Sequence, residues 1–239
     1  MSIRFKVGDI YIFGKFSTPF AKSDIDLIVA DPTTEFHILR HYVSLPNEYK
    51  KSLIGQKYSY YDYKKQGFTE SVISEEDVKE GLKTKGSKFS NNVAGIETPR
   101  TLLVQIRNQL KKLIGNDSLI WVDRGSYQTV AFTFNYDKEV GYLDLINIAT
   151  LTEEEKAHIK KVPRGSSAGE DDIVIQTISG IIRKPTKSIA VELTKVAGRS
   201  YLSVTAYPGT LSPDFPSLGQ NTEEREYCKE FWDDRVFIV

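Results

Sequence analysis

The chain has 239 residues, with 32 Lys+Arg against 32 Asp+Glu, 40% hydrophobic and 11% aromatic side chains. That length and apolar content suffice for one large domain or two small ones, which excludes a wholly disordered chain. A formal net charge of zero excludes capture by nucleic acid or an anionic membrane through bulk charge, so any such partner must meet a local patch.

In chain order, the opening MSIRFKVGDIYIFG predicts a strand with charges at Arg4, Lys6 and Asp9 rather than a signal peptide. Runs of β-branched and aromatic residues then recur at 10–13, 25–30 and 36–43 and in the tyrosine cluster at 57–63, broken by turn residues such as Thr18-Pro19 and Asp31-Pro32. Residues 1–96 are therefore expected to be mainly strand. Residues 79–92, rich in Lys, Gly, Ser and Asn, read as an exposed loop and a seam before a second part, 97–239, although the two parts can pack as one domain.

The best-marked helix is expected at about 98–114. Thr98 can cap it, Pro99 takes its first position, Leu102, Leu103, Ile106, Leu110, Leu113 and Ile114 line one face, and Gly115 ends it. Strand-like segments follow at 119–122, 128–134 and 141–147. A short helix is expected at about 152–162, from the capping-box spacing of Thr152 and Glu155 to the stop at Pro163. Beyond 164–172, three strand candidates follow, and the last two alternate. Ile189, Val191 and Leu193 share one face of the first; in the second, Leu202, Val204 and Ala206 oppose Tyr201, Ser203, Thr205 and Tyr207. FWDDRVFIV ends in one more strand. Connected strands without crossover helices predict an α+β protein dominated by antiparallel sheet and disfavour a Rossmann fold.

Three groups of residues bear on chemistry. GKFSTPFAKSDIDLIVAD, residues 14–31, resembles the nucleotidyltransferase signature, which implies Gly14 as the turn glycine at the nucleotide phosphates and Asp24 and Asp26 as magnesium ligands. The competing reading is a β-hairpin in which Asp24 caps a turn and Asp26 faces solvent. His37 and His41 are four residues apart, but a strand would separate them by about 13 Å, too far for one metal ion. His158, by contrast, lies just before a basic loop containing Arg164, and an imidazole beside a guanidinium supplies a proton carrier and a phosphate clamp.

The stretch from about Ile173 to Pro208, with PTKSIAVELTKV followed by RSYLSVTAYPG, resembles the C-terminal β-hairpin of small bacterial ribonuclease toxins of the barnase, colicin and RelE-like kind. The resemblance implies an active face lined by Thr186, Thr205 and Tyr207, with His158 and Arg164 brought by the preceding helix and loop. A toxin-like, metal-independent ribonuclease is the first expectation, with no cofactor and no metal, RNA as partner and a cytoplasmic location. The second is a non-catalytic, β-rich interaction module that meets a protein partner through aromatic residues such as Tyr58, Tyr60, Tyr61 and Tyr63. Alternation puts Tyr58 and Tyr60 on one strand face and Tyr61 and Tyr63 on the other. A nucleotidyltransferase-like enzyme is the third. The single Cys228 forms no internal disulfide and agrees with a reducing compartment.

Overall fold

The computed structural model describes residues 3–62, 67–91, 93–115, 119–163, 174–217 and 219–239, with only the backbone at 61 and 62. Tyr63 and Arg164 lie outside the described residues. The chain opens with the hairpin β1 (Ile3–Val7) and β2 (Ile10–Gly14), a short β3 (Ser17–Pro19) and a 3-10 helix at Lys22–Leu27. Two helices follow, α1 (Pro32–Leu39) and α2 (Asn47–Leu53), then a hairpin of β4 (Lys57–Asp62) and β5 (Gly67–Val72), α3 (Glu75–Lys83) and β6 (Lys88–Phe89).

Next come α4 (Pro99–Leu113), β7 (Ile120–Asp123), β8 (Tyr127–Asn135), β9 (Gly141–Tyr142) and β10 (Leu145–Asn147). The single turn α5 (Glu153–Lys156) leads to β11 (Lys160–Pro163) and β12 (Val174–Ile178). The chain closes with β13 (Pro185–Thr186), β14 (Ser188–Val196), β15 (Ser203–Pro208), α6 (Thr222–Asp233) and β16 (Arg235–Ile238).

This is an α+β protein with mainly antiparallel sheets. Its centre is a five-stranded antiparallel sheet in the order β15-β14-β8-β7-β3. Alternation divides this sheet cleanly. Val130, Phe132, Ile189, Val191, Leu193 and Val204 point inward, against Leu102, Leu103, Ile106 and Leu110 of α4 and against Ile38 and Leu39 of α1. On the outer face, Val122, Ala131 and Ala190 pack under Val7, Ile10 and Ile12 of the β1–β2 hairpin and under Leu211. The main core takes residues from Phe20 to Phe89 and from Val93 to Ala206, so both sides of residues 79–92 contribute to it. Glu35 of α1 ties the same two stretches together: 1% exposed, it accepts from the Tyr49 hydroxyl at 2.7 Å and from Arg100 Nε and Nη2 at 3.0 and 3.1 Å.

Several sequence expectations are corrected. The N-terminal part is not mainly strand. Residues 36–39 belong to α1 and 40–43 follow it through a turn, because Asp31 Oδ1 accepts from the Thr33 and Thr34 amides and Pro32 takes the first turn, so a capped helix start overrides the β-forming composition. Residues 25–30 do not form a strand either. Their 3-10 turn buries Asp24, which accepts from the Ala21 amide and the Trp121 indole and faces Lys195 Nζ at 3.6 Å, while Asp26 is exposed.

The seam at 79–92 is not an exposed loop, since Ser87, Lys88 and Phe89 are buried and Lys88 Nζ donates to the Arg40 and Leu82 carbonyls. The helix expected at 152–162 is only one turn; Lys160–Pro163 is strand, paired with β12. The helix at 98–114 is present as Pro99–Leu113, but it is one of six α-helices among the described residues. No helix among the described residues is long and apolar enough to cross a membrane.

Candidate functional site

The outer face of the central sheet gathers the polar residues that the alternation of β14 and β15 sends away from the core. Glu192 on β14 stands in register with Thr205 on β15, and Ala190 with Tyr207, so Glu192, Thr205 and Tyr207 share one patch of that face. The β7–β8 turn delivers a cation to it. Asp123 Oδ1 accepts from the Gly125 amide, Gly125 takes a positive φ of 99°, and the Arg124 amide donates to the Tyr127 carbonyl, fixing Arg124 at the turn. The Arg124 side chain is only 14% exposed.

Arg124, Glu192, Thr205 and Tyr207 line a single cavity of about 100 Å³. Burial, with help from the nearby Asp214 charge, pushes the Glu192 carboxyl up to about 7, against a smaller opposing pull from Arg124. A carboxyl at that level exchanges protons at neutral pH, which an ordinary glutamate does not. Burial also raises the Tyr207 phenol, so it is a neutral donor there.

Two histidines border the same strand. His37 Nε2 lies 3.2 Å from Thr205 Oγ1, and the His41 ring centroid is 5.6 Å from that of Tyr207. His37 lies on α1 and His41 in the turn just after it, and both reach β15, where the strand reading of residues 36–43 had only kept them from sharing one metal ion. Burial lowers His41 to about 4, partly offset by its hydrogen bond with the Ser87 carbonyl, so its imidazole is neutral at physiological pH. His41 and Tyr207 line a second, larger cavity of about 490 Å³, which also contains Ser87, whose hydroxyl donates to Asp144. A third and more polar groove, of about 770 Å³, runs past Lys15, Arg124 and Asn221.

The sequence-derived residues are distributed unevenly around this site. Thr205 and Tyr207 are in it. His158 is exposed on the turn after α5 and is absent from the residues lining all three cavities. Thr186 is on β13, where its hydroxyl accepts from the Ser188 amide as β14 begins. Gly14 lines the polar groove, but its role in the packing is steric: a Cβ there would overlap Val122 Cγ1 and the Asp123 carbonyl. Asp24 and Asp26 share no face, one being buried and the other exposed. Tyr58 packs on Phe36 at 4.8 Å and lies beside Tyr60 at 5.7 Å, on the strand face predicted for the pair. Tyr61 pairs with Phe68 in the β4–β5 register. Among the described residues no group of three or more His, Cys, Asp or Glu is placed to hold a metal ion.

Glu192 and Arg124 were not singled out from the sequence, although the alternation that put Thr205 outward puts Glu192 on the outward face of SIAVELTKV as well. Arg124 gave no comparable signal, being one of many basic residues in turns. The chain matches no protein-family profile and no curated protein.

Proposed function

We propose that the chain is a toxin-like, metal-independent ribonuclease working on the outer face of the five-stranded sheet. The observation that supports this reading is the convergence of Glu192, Thr205, Tyr207 and Arg124 on one cavity. Cleavage joins the ribose 2′-oxygen to phosphorus while the bond from phosphorus to the 5′-oxygen breaks. It needs an acceptor for the 2′-hydroxyl proton, a donor for the leaving oxygen, and cations or hydroxyls around the phosphorane.

In this reading the neutral His41 imidazole accepts the proton, and the acid form of Glu192 supplies one to the 5′-oxygen. Their opposed pKa values fit that division of labour. Arg124 holds the phosphate in a bidentate grip, and the Thr205 and Tyr207 hydroxyls hydrogen-bond its oxygens. The products are a 2′,3′-cyclic phosphate and a 5′-hydroxyl. RNA is thus the proposed partner and the cytoplasm the proposed setting, in keeping with a free, buried Cys228.

The test is incubation of single-stranded RNA with the wild-type chain, Glu192→Gln and Asp214→Asn, each with and without EDTA. Cyclic-phosphate products that persist in EDTA and vanish with Glu192→Gln are expected; RNA left intact by the wild type and Asp214→Asn alike would overturn the reading.

One observation favours an interaction module instead. Phe68 and Val72, on the outward face of the β4–β5 hairpin, are each 52% exposed. That reading expects no RNA turnover, and a defined complex that is lost in a Phe68→Ser/Val72→Ser variant.

A further inference from the structure

The segment that follows β15 crosses the candidate site. After Gly209, whose amide donates to the Ser188 carbonyl, the chain runs over the outer sheet face: Leu211 is buried beside Ala190, and Ser212, Pro213 and Asp214 come next. Ser212 lines all three cavities, and Asp214 lines both the inner cavity and the polar groove. The segment is therefore the partition between three spaces that would otherwise open into one another.

Its polar groups are matched to the site beneath. Ser212 lines two of the cavities together with Tyr207 and draws its phenol pKa down, against the larger upward effect of burial. Two residues on, the Asp214 carboxylate pairs with the Arg124 guanidinium, which also faces Glu224 Oε1 at 3.4 Å. A carboxylate thus pairs with Arg124 and a serine stands beside Tyr207, the two groups best suited to phosphate oxygens.

We propose that Arg124 and Tyr207 form a phosphate subsite, and that residues 211–214 are an internal strap occupying it, to be lifted when a phosphodiester binds. The ribonuclease assignment of this subsite rests on the reading above; the competition between strap and phosphate does not.

The way the strap is held agrees with this role. The Asp214 side chain is 59% exposed, so water reaches its side of the pair although Arg124 is largely buried. Further attachments lie at the far end, on α6 and just before it: Trp232 Nε1 of α6 donates to the Asp214 carbonyl at 3.1 Å, Phe215 stacks on Trp232 at 4.0 Å, and Gln220 Nε2, ahead of α6, donates to the Phe215 carbonyl at 3.2 Å. The strap can release Arg124 while staying anchored on α6.

The experiment is calorimetric titration with inorganic phosphate of the full-length wild type, Ser212→Ala/Asp214→Ala, the milder Asp214→Asn, and Arg124→Ala in the double-variant background, with folding checked by near-ultraviolet circular dichroism. At least tenfold tighter phosphate binding is expected in the double variant and a smaller gain in Asp214→Asn, with both gains abolished by Arg124→Ala. Equal affinity in wild type and folded strap variants would overturn the proposal. The same set is assayed on RNA: tighter phosphate binding with RNA left intact would keep the strap and discard the ribonuclease reading, whereas at least tenfold faster cleavage by the strap variants would support both.

Discussion

Glu192 stands directly across the β14–β15 ladder from Thr205 on the outer sheet face, with its carboxyl pushed up to about 7 by burial. Because the folded pKa is raised, the fold favours the protonated form. Its contribution to stability is whole below the unfolded carboxyl range near ~4.3 and drains away as pH rises through about 7. Denaturant unfolding at about pH 5 and about pH 8 should show the wild type losing up to ~3 kcal/mol through this group, and Glu192→Gln losing much less. Parallel curves for the two proteins would mean that the carboxyl ionises as in water.

His41 works in the opposite sense. Its pKa is depressed to about 4, so the contribution of its neutral form is whole above ~6.5 and disappears as pH falls towards 4. In the Glu192→Gln background, where the opposing slope is gone, stability should rise with pH between about 4 and about 6.5, and His41→Gln should flatten that rise. A slope unchanged by His41→Gln would assign it to another group.

His158 and the outer-face residues predict different mutational patterns. His158 is exposed, and its backbone amide donates to Glu155 in an ordinary turn. His158→Ala should stay within ~0.5 kcal/mol of wild-type stability and leave RNA cleavage unchanged, whereas Glu192→Gln and His41→Gln should each lower turnover by about a hundredfold. Loss of cleavage in His158→Ala would move the chemistry to the turn after α5.

Gly14 tests packing against phosphate binding. Gly14→Ala places a methyl group against Val122 and the Asp123 carbonyl, which β2 and β7 can accommodate only by separating. A loss of about 1–3 kcal/mol is expected in thermal or denaturant unfolding. Wild-type stability together with lost nucleotide binding would instead favour the transferase-like reading of residues 14–31.

Glu35→Ala should lower stability by roughly 1–3 kcal/mol, because it leaves the Tyr49 hydroxyl unpartnered in the core and frees Arg100. Arg100→Ala removes the half-exposed partner of the same pair and leaves the buried carboxylate behind. It should therefore cost at least as much as Glu35→Ala at neutral pH, a comparison readable from denaturant unfolding of the two variants.

The parts of the fold that were legible in the sequence are those where a local signal and the tertiary packing agree. Residues 98–114 carry a cap, a first-turn proline, an apolar face and a terminal glycine, and Gly115 does take a positive φ of 89°. The alternation of 189–193 and 202–206 predicted which side chains are buried, down to Ala206 at 0% exposure. Where local signals competed, composition misled. FHILRHYV looks like a strand, yet the Asp31 side chain caps two amides just ahead of it and starts a helix. α6 fully buries only Cys228 and presents Tyr227, Phe231 and Trp232 half-buried beside it, a short stripe that follows a Pro-rich segment and runs straight into the last strand. The site itself was half visible, since Thr205 and Tyr207 follow from periodicity alone. The partners that make them a site come from α1, the β7–β8 turn and the segment after β15, a juxtaposition created by tertiary structure.

In the small sheet ordered β10-β16-β12-β11, β16 is the last of the four strands in sequence yet occupies an inner position, antiparallel to β10 and parallel to β12. Until it docks, neither neighbour has its partner on that side, and Val236 and Ile238 are missing from the small core they share with Ile146 and Ile178. On the ribosome, this sheet can close only after the segment from Arg235 to Ile238 has left the exit tunnel, and until then the strand edges of β10 and β12 are where a chaperone would be needed.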